Sequence, residues 1–343
     1  MSTYQAFVPP ALEKLWARGA NFLGCPISIM GGAMTWLSER HLVSAISNAG
    51  GFGVLACGSM NTEMLDQEIV ATAKMTVNPF GVNLITMHPD LDALIDVCAD
   101  NKVTHVVLAG GVPSSDAIKK VKASGAKVIC FTPAIGLAKR LISFGVDALV
   151  IEGAEAGGHI GPVSTSVLAQ EILPVIKDVP IFVAGGIGRG EAIVTYLQMG
   201  AAGCQMGTRF VCAFECIAHP RFKQSFIRAN ARDAVPTIQV DKQFPVIPVR
   251  ALTNNGTEEF IAIQRKVIDR YQRGEVDQEA AQLEIEHFWA GALRRAVLDG
   301  DVENGSMMAG QSVGMVKGEQ SVSEIIDDLM RQAIDSLQKR INH

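Results

Sequence analysis

Between residues 26 and 207, eight short apolar runs recur, each followed by a helical pattern, and this repeat sets the narrowest limits on what the chain can fold into. The runs are PISIM (26–30), GFGVLAC (51–57), FGVNLI (80–85), HVVLAG (105–110), KVICFT (127–132), ALVIEG (148–153), IFVAGG (181–186) and AGCQMG (202–207). None alternates polar with apolar residues, as a strand with one wet face would; parallel strands covered on both sides read this way. The segments between them, such as SERHLVSAISNAG and SDAIKKVKASG, carry helical periodicity, with Ser, Thr or Asp at starts and Gly at stops. Eight such alternations over about 190 residues predict an α/β protein of the (β/α)8 TIM-barrel type. A doubly wound open sheet is the competing fold, but no G-x-G-x-x-G follows the first run, where a dinucleotide-binding version needs one.

Past residue 215 the pattern becomes helical, amphipathic and charged over 255–300 and again from 321 to the end. The expected organisation is an N-terminal extension (1–24), a barrel built from 25–214 and 301–343 with a C-terminal helix, and a mainly helical cap or insertion beside the barrel mouth (215–300). Charge argues against a nucleic-acid partner: 30 Lys+Arg against 35 Asp+Glu leave a net −5 and no basic footprint. No stretch approaches the roughly 20 apolar residues of a membrane helix, and the N-terminus lacks the pattern of a secretory signal. Seven scattered cysteines without zinc-ligand spacing are expected to be reduced thiols in a cytoplasmic protein that holds no metal.

Glycine is in excess, with 33 residues, close to one in ten against a usual share of about 7 %. The excess clusters where the predicted strands end: GGAM (31–34), AGG (109–111), EGAEAGGHIG (152–161), AGGIGRG (184–190) and MGTRF (206–210). In a (β/α)8 barrel those ends form the face that carries the active site. Glycine there lets backbone N–H groups approach a ligand closely. A tight turn explains one such cluster. Two on adjacent strands, Gly185, Gly186 and Gly188 after the seventh run and Gly207 and Thr208 after the eighth, mark the usual phosphate position of such barrels.

His159, flanked by glycines just past the sixth run, is the candidate acid–base residue, imidazole being the side chain suited to proton transfer near neutral pH. The other histidines, 41, 88, 105, 219, 287 and 343, read as surface or structural. Glu152 and Glu155 form either a glycosidase-like pair or groups that orient the histidine and accept from cofactor hydroxyls. Asn83, ending the third run, can both donate to and accept from a flavin or pyrimidine edge, or form a turn. Methionines in GSMMAGQSVGMVKG (305–318) can pack on a flat ring that Gln311 hydrogen-bonds, or simply join two buried helices. No Schiff-base lysine, Ser-His-Asp set or G-x-S-x-G is present, so a cofactor is expected to supply the chemistry.

Together SIMGGAMTWLSERHLVSAISNAGGFGVL, PFGVNL, EGAEAGGHIG, VAGGIGRGEA, MGAAGCQMGTRFVCAFECIAHPRFK and GSMMAGQSVGMVK resemble the FMN-dependent barrel family of nitronate monooxygenase (2-nitropropane dioxygenase) and enoyl-acyl-carrier-protein reductase II, from about residue 25 to the C-terminus. The resemblance implies a (β/α)8 barrel with non-covalent FMN, reduced in the reductases by NADH or NADPH. It places the histidine role on His159, flavin-ring contacts on Gly32, Ala33, Met34 and Asn83, and phosphate contacts on Gly185, Gly186, Gly207 and Thr208. Glu152, Gly157, Gly158 and Gln311 match further positions near the flavin. EGAEAGGHIG and the tail 291–316 fit the reductase branch better. They imply an NAD(P)H-dependent enoyl-acyl-carrier-protein reductase acting on a free or carrier-linked 2-enoyl thioester, with nitronate oxidation by O2 and quinone reduction as alternatives. A homodimer is expected. Where the reductases carry Gln-Gly-Gly-Met, this chain has Gly31-Gly32-Ala33-Met34, without the side-chain amide.

Overall fold

The computed structural model describes residues 8–241 and 248–341. Residues 1–7 of the expected extension, 242–247 of the expected cap, the side chain of His287 and His343 lie outside the described residues. Eight parallel strands close into a barrel: β1 (Ile29–Gly31), β2 (Phe52–Ala56), β3 (Phe80–Ile85), β4 (His105–Ala109), β5 (Lys127–Phe131), β6 (Ala148–Glu152), β8 (Ile181–Ala184) and β9 (Gly203–Met206). A two-residue strand, β7 (Gly158–His159), stands outside the barrel. The barrel closes where β1 pairs β9, with Ile29 opposite Cys204 and Gly31 opposite Met206. That closure makes the fold a (β/α)8 barrel and removes the open-sheet alternative.

Alternate residues of each strand enter different layers. Met30, Phe52, Val54, Val107, Ile129, Val150, Phe182 and Ala184 fill the interior. Leu55, Val82, Leu84, Val106 and Leu108 pack outward against the helices. Both faces are buried, which is why the runs show no polar alternation.

After α1 (Pro10–Leu23), the outer ring comprises α2 (Arg40–Asn48), α3 (Thr62–Met75), α4 (Leu91–Asp100), α5 (Ser115–Ala123), α6 (Ile135–Ser143), α7 (Thr165–Ile172) and α8 (Gly190–Gln198). Asn61 and Ser114 start α3 and α5 by accepting from the backbone N–H of Met64 and Ala117. α1 ends at Gly24 in the left-handed conformation and seals the N-terminal end of the barrel. There the Phe22 carbonyl accepts from Lys127 Nζ and pairs with Nε2 of His105, and the Phe22 ring meets His105 edge-on at 5.2 Å. Burial pushes the His105 imidazole down to about 4, so it is neutral at pH 7.

Beyond the barrel follow α9 (Pro220–Arg228), β10 (Ala234–Pro236), β11 (Val249–Leu252), α10 (Asn255–Gln272), α11 (Gln278–Asp299) and α12 (Val322–Ile341). β11 is the centre of a second, three-stranded antiparallel sheet ordered β10–β11–β7. Strands of two to four residues leave no periodic signature, so the sequence does not announce this sheet. Val249 of β11 shares a small core with Phe260, Val267 and Ile268 of α10 and Ala281 and Ile285 of α11. α12 lies along α8 and buries Ile325, Ile326, Leu329 and Met330. All seven cysteines are buried free thiols, most pushed up to about 12 by desolvation. Among the described residues no helix is long and apolar enough to cross a membrane.

Candidate active site at the barrel mouth

Strand register decides which polar side chains enter the mouth, because laterally paired residues of a parallel sheet point to the same face. Asn83 lies opposite Val107, Gln205 opposite Met30 and Ala184, and Glu152 opposite Ala184; those partners are interior residues. Asn83, Glu152 and Gln205 therefore project inward at the C-terminal end of the barrel, above an apolar interior. Asn83 is buried, and its Nδ2 donates to the Val107 carbonyl at 3.2 Å, leaving its Oδ1 for another donor. Asn83 thus sits within β3 and forms no turn.

Desolvation raises the Glu152 carboxyl from the ordinary range to about 7, and nearby His159 partly counters the rise by favouring the carboxylate. Near neutrality this group exchanges a proton readily. Glu155 is committed elsewhere: its Oε2 accepts from the Thr165 backbone N–H at 2.8 Å and the Thr165 hydroxyl at 2.9 Å, at the start of α7. The two carboxylates thus have separate surroundings, which lends a glycosidase-like pair no support.

Gly32, Ala33 and Met34 turn the chain over the rim after β1, fixed by Ser38, whose hydroxyl accepts from Met34 N–H and donates to the Gly32 carbonyl. The Gln205 side chain comes within 3.2 Å of where a Gly32 Cβ would stand. An amide thus flanks this turn although the turn carries none. Gly185 and Gly186, after β8, have φ of +96° and +71°, a pair of left-handed residues that only glycine adopts without strain. A Cβ on Gly186 would lie 2.9 Å from Glu155 Cβ. Across the rim, Gly207 packs against Met34, and the Thr208 hydroxyl accepts from Gly310 N–H at 3.0 Å, leaving its own proton to donate. The N–H groups of Gly186, Gly207 and Thr208 donate to no protein acceptor among the described residues. Three unmatched donors on adjacent strand ends suit the oxygens of a phosphate.

The loop after β6 carries Gly157, Gly158 and His159. His159 is exposed on β7, where it pairs with Val249 of β11. Gly157 passes so close to residues 309–310 that a Cβ would lie 2.5 Å from Gly310 N. Gln311 N–H donates to the Glu155 carbonyl at 2.9 Å, drawing the 305–318 segment onto the same loop. Every candidate residue named from the sequence, from Gly32 to Gln311, thus lies at one end of the barrel. Three that were not named belong with them: Gln205, Thr165 and Arg250. Arg250 interrupts the apolar run VRAL, the mark of a charge taken inside. Among the described residues no cluster of metal-binding side chains occurs.

A closed parallel barrel whose C-terminal mouth gathers unmatched backbone N–H groups, inward amides and a carboxyl raised to about 7 has the layout of a barrel enzyme's active face. The family profile described as Nitronate monooxygenase matches residues 20–94 and 90–332. The chain belongs to the nitronate monooxygenase family and is an oxidoreductase. FabK from Thermotoga maritima superposes with a TM-score of 0.84 at 33 % identity, covering 95 % of this chain and 98 % of that one. The (3aS,4S,5R,7aS)-5-hydroxy-7a-methyl-1-oxo-octahydro-1H-indene-4-carboxyl-CoA dehydrogenase of Rhodococcus jostii (strain RHA1) is 28 % identical over 88 % of this chain and 91 % of that protein. A probable nitronate monooxygenase of Staphylococcus aureus (strain MSSA476) is 26 % identical over 81 % of this chain and 92 % of its own length.

Proposed function

We propose that the protein is an FMN-dependent, NAD(P)H-consuming reductase of 2-enoyl thioesters. The observation that carries the reading is the pairing of unmatched phosphate donors at Gly186, Gly207 and Thr208 with inward Asn83, Glu152 and Gln205 on one rim. Bound FMN supplies hydride transfer, the redox chemistry that no side chain of this mouth provides. The three backbone amides and the Thr208 hydroxyl hold its phosphate, while Asn83 and Gln205 offer amides, and Met34 an apolar contact, to its ring. The apolar interior beneath excludes water. His159 polarises the thioester carbonyl or delivers the proton that accompanies reduction, and Glu152 holds a proton beside it. Thioester chemistry is supported by the reductase-type EGAEAGGHIG, the 33 % identity to FabK and the CoA thioester in the name of the 28 % identical dehydrogenase.

The family match and the Staphylococcus relative favour a second reading, in which His159 is the general base on a nitroalkane or its nitronate. Anaerobic rapid mixing separates the two. Bleaching of the flavin colour by NADH or NADPH, with return on adding crotonyl thioester, is the expected result. Bleaching by propyl nitronate alone would overturn the reading in favour of the monooxygenase, and reoxidation by a quinone but no thioester would identify a quinone reductase. His159→Ala is expected to lower turnover at least roughly 100-fold with flavin still bound.

A further inference from the structure

His159 stands seven residues beyond the last residue of β6, on a strand of only two residues. A loop of that length does not fix an imbidazole ring by itself; something must supply the geometry a catalytic histidine needs. The barrel holds the start of the loop, through Gly153 N–H on the Ala184 carbonyl, and Ala154 N–H on the Val163 carbonyl ties the loop's two ends to each other. The histidine itself is paired with β11: Val249 faces His159, Arg250 faces Gly158, and Ile160 N–H donates to the Pro248 carbonyl at 2.9 Å.

Arg250 adds a second tie, since its side chain reaches the start of the same loop. It is 7 % exposed, with Nε donating to the Ala154 carbonyl at 2.8 Å and Nη1 to the Ala234 carbonyl of β10. Burial lowers the affinity of the guanidinium for its proton, and the Glu155 carboxylate opposes that. A buried guanidinium is a costly way to join two carbonyls unless its fork is needed: a lysine ammonium reaches one carbonyl but does not span two in a fixed plane. On its other edge, the Arg250 carbonyl accepts from Ala309 N–H, next to the segment that carries Gln311. One residue therefore joins the histidine loop, the β10–β11 ribbon and the C-terminal segment.

We propose that Arg250 is the positioning residue for His159, so that the β10–β11 ribbon, and not the barrel, sets where the imidazole stands. The inference rests on the functional reading above, in which His159 takes part in turnover. It is tested by a double-mutant cycle in the flavin-loaded protein: wild type, Arg250→Met, His159→Ala and the double variant, assayed with NAD(P)H and crotonyl thioester. Arg250→Met is expected to lower kcat roughly tenfold with KM changed less than about twofold, and to cause no further loss when His159 is already alanine. Arg250→Lys, retaining one donor, is expected to recover part of the loss. The His159 imidazole NMR signals, assigned by their disappearance in His159→Ala, are expected to move in Arg250→Met.

Equal losses in both backgrounds, or unmoved imidazole signals, would overturn the positioning role while leaving the functional reading intact. Full turnover in His159→Ala would instead overturn that reading, and the inference with it. If Arg250→Met does not fold, Arg250→Lys is carried through the same cycle and judged by the same two criteria.

Discussion

At the N-terminal end of the barrel, His105 is buried with both ring nitrogens engaged, by the Thr104 hydroxyl and the Phe22 carbonyl, and Lys127 is drawn onto that carbonyl as well. At the C-terminal end, Glu152 is desolvated close to neutrality and three backbone amides have no protein acceptor among the described residues. The same eight strands thus finish in a sealed floor and an open, electrostatically unfinished rim. Polar groups that are fully matched add stability, whereas groups left unmatched lose it and are available to a ligand. The difference separates what the barrel needs in order to fold from what it needs in order to act.

The contrast can be broken most sharply at Gly186. Gly186→Val places a branched side chain at φ +71° against Glu155, and is expected to abolish flavin retention and lower turnover at least about 100-fold, read by the flavin-to-protein ratio. Leu23→Ala at the floor is expected to do the reverse: a loss of roughly 2–5 kcal/mol in denaturant unfolding, with turnover per folded molecule unchanged.

Two pH experiments then sharpen the comparison, because the two ends titrate with opposite sign. Glu152 has a folded pKa raised to about 7, so the stability it contributes is complete below its unfolded value and falls as pH rises to about 7. Glu152→Gln is therefore expected to gain up to about 3 kcal/mol at pH 8 relative to wild type and nothing at pH 4. His105 has a folded pKa lowered to about 4, so its contribution is complete above its unfolded value and is lost as pH falls toward 4. His105→Gln is expected to flatten that acid limb and, because it also gives up ring packing on Phe22 and Phe52, to lower stability at every pH. Unfolding free energies measured from pH 4 to 8 check both, and limbs of the same sign would refute the contrast.

The barrel was legible because burial on both faces makes each strand a continuous apolar run, and the rim was legible because glycine gathers where those runs stop. What escaped depends on register and on long-range pairing. Gln205 lies inside a run read as strand, yet only the pairing with Met30 and Ala184 shows that its amide enters the mouth. The β7–β11 pairing joins residues about 90 positions apart through strands too short for a period, so the support of His159 by Arg250 could not be read from either segment alone. Glu155, one of two carboxylates in the same motif, parted from Glu152 because Thr165 holds it at the start of α7.

The closing seam between β1 and β9 has a consequence for assembly. Gly32 and Met34 lie on one side of it, and Gln205, Gly207 and Thr208 on the other, about 175 residues further along the chain. No contiguous half of this polypeptide contains the rim. A half-barrel fragment, however well folded, is expected to be colourless, and the return of flavin colour on mixing two halves would report the strand pairing most distant in sequence among the described residues.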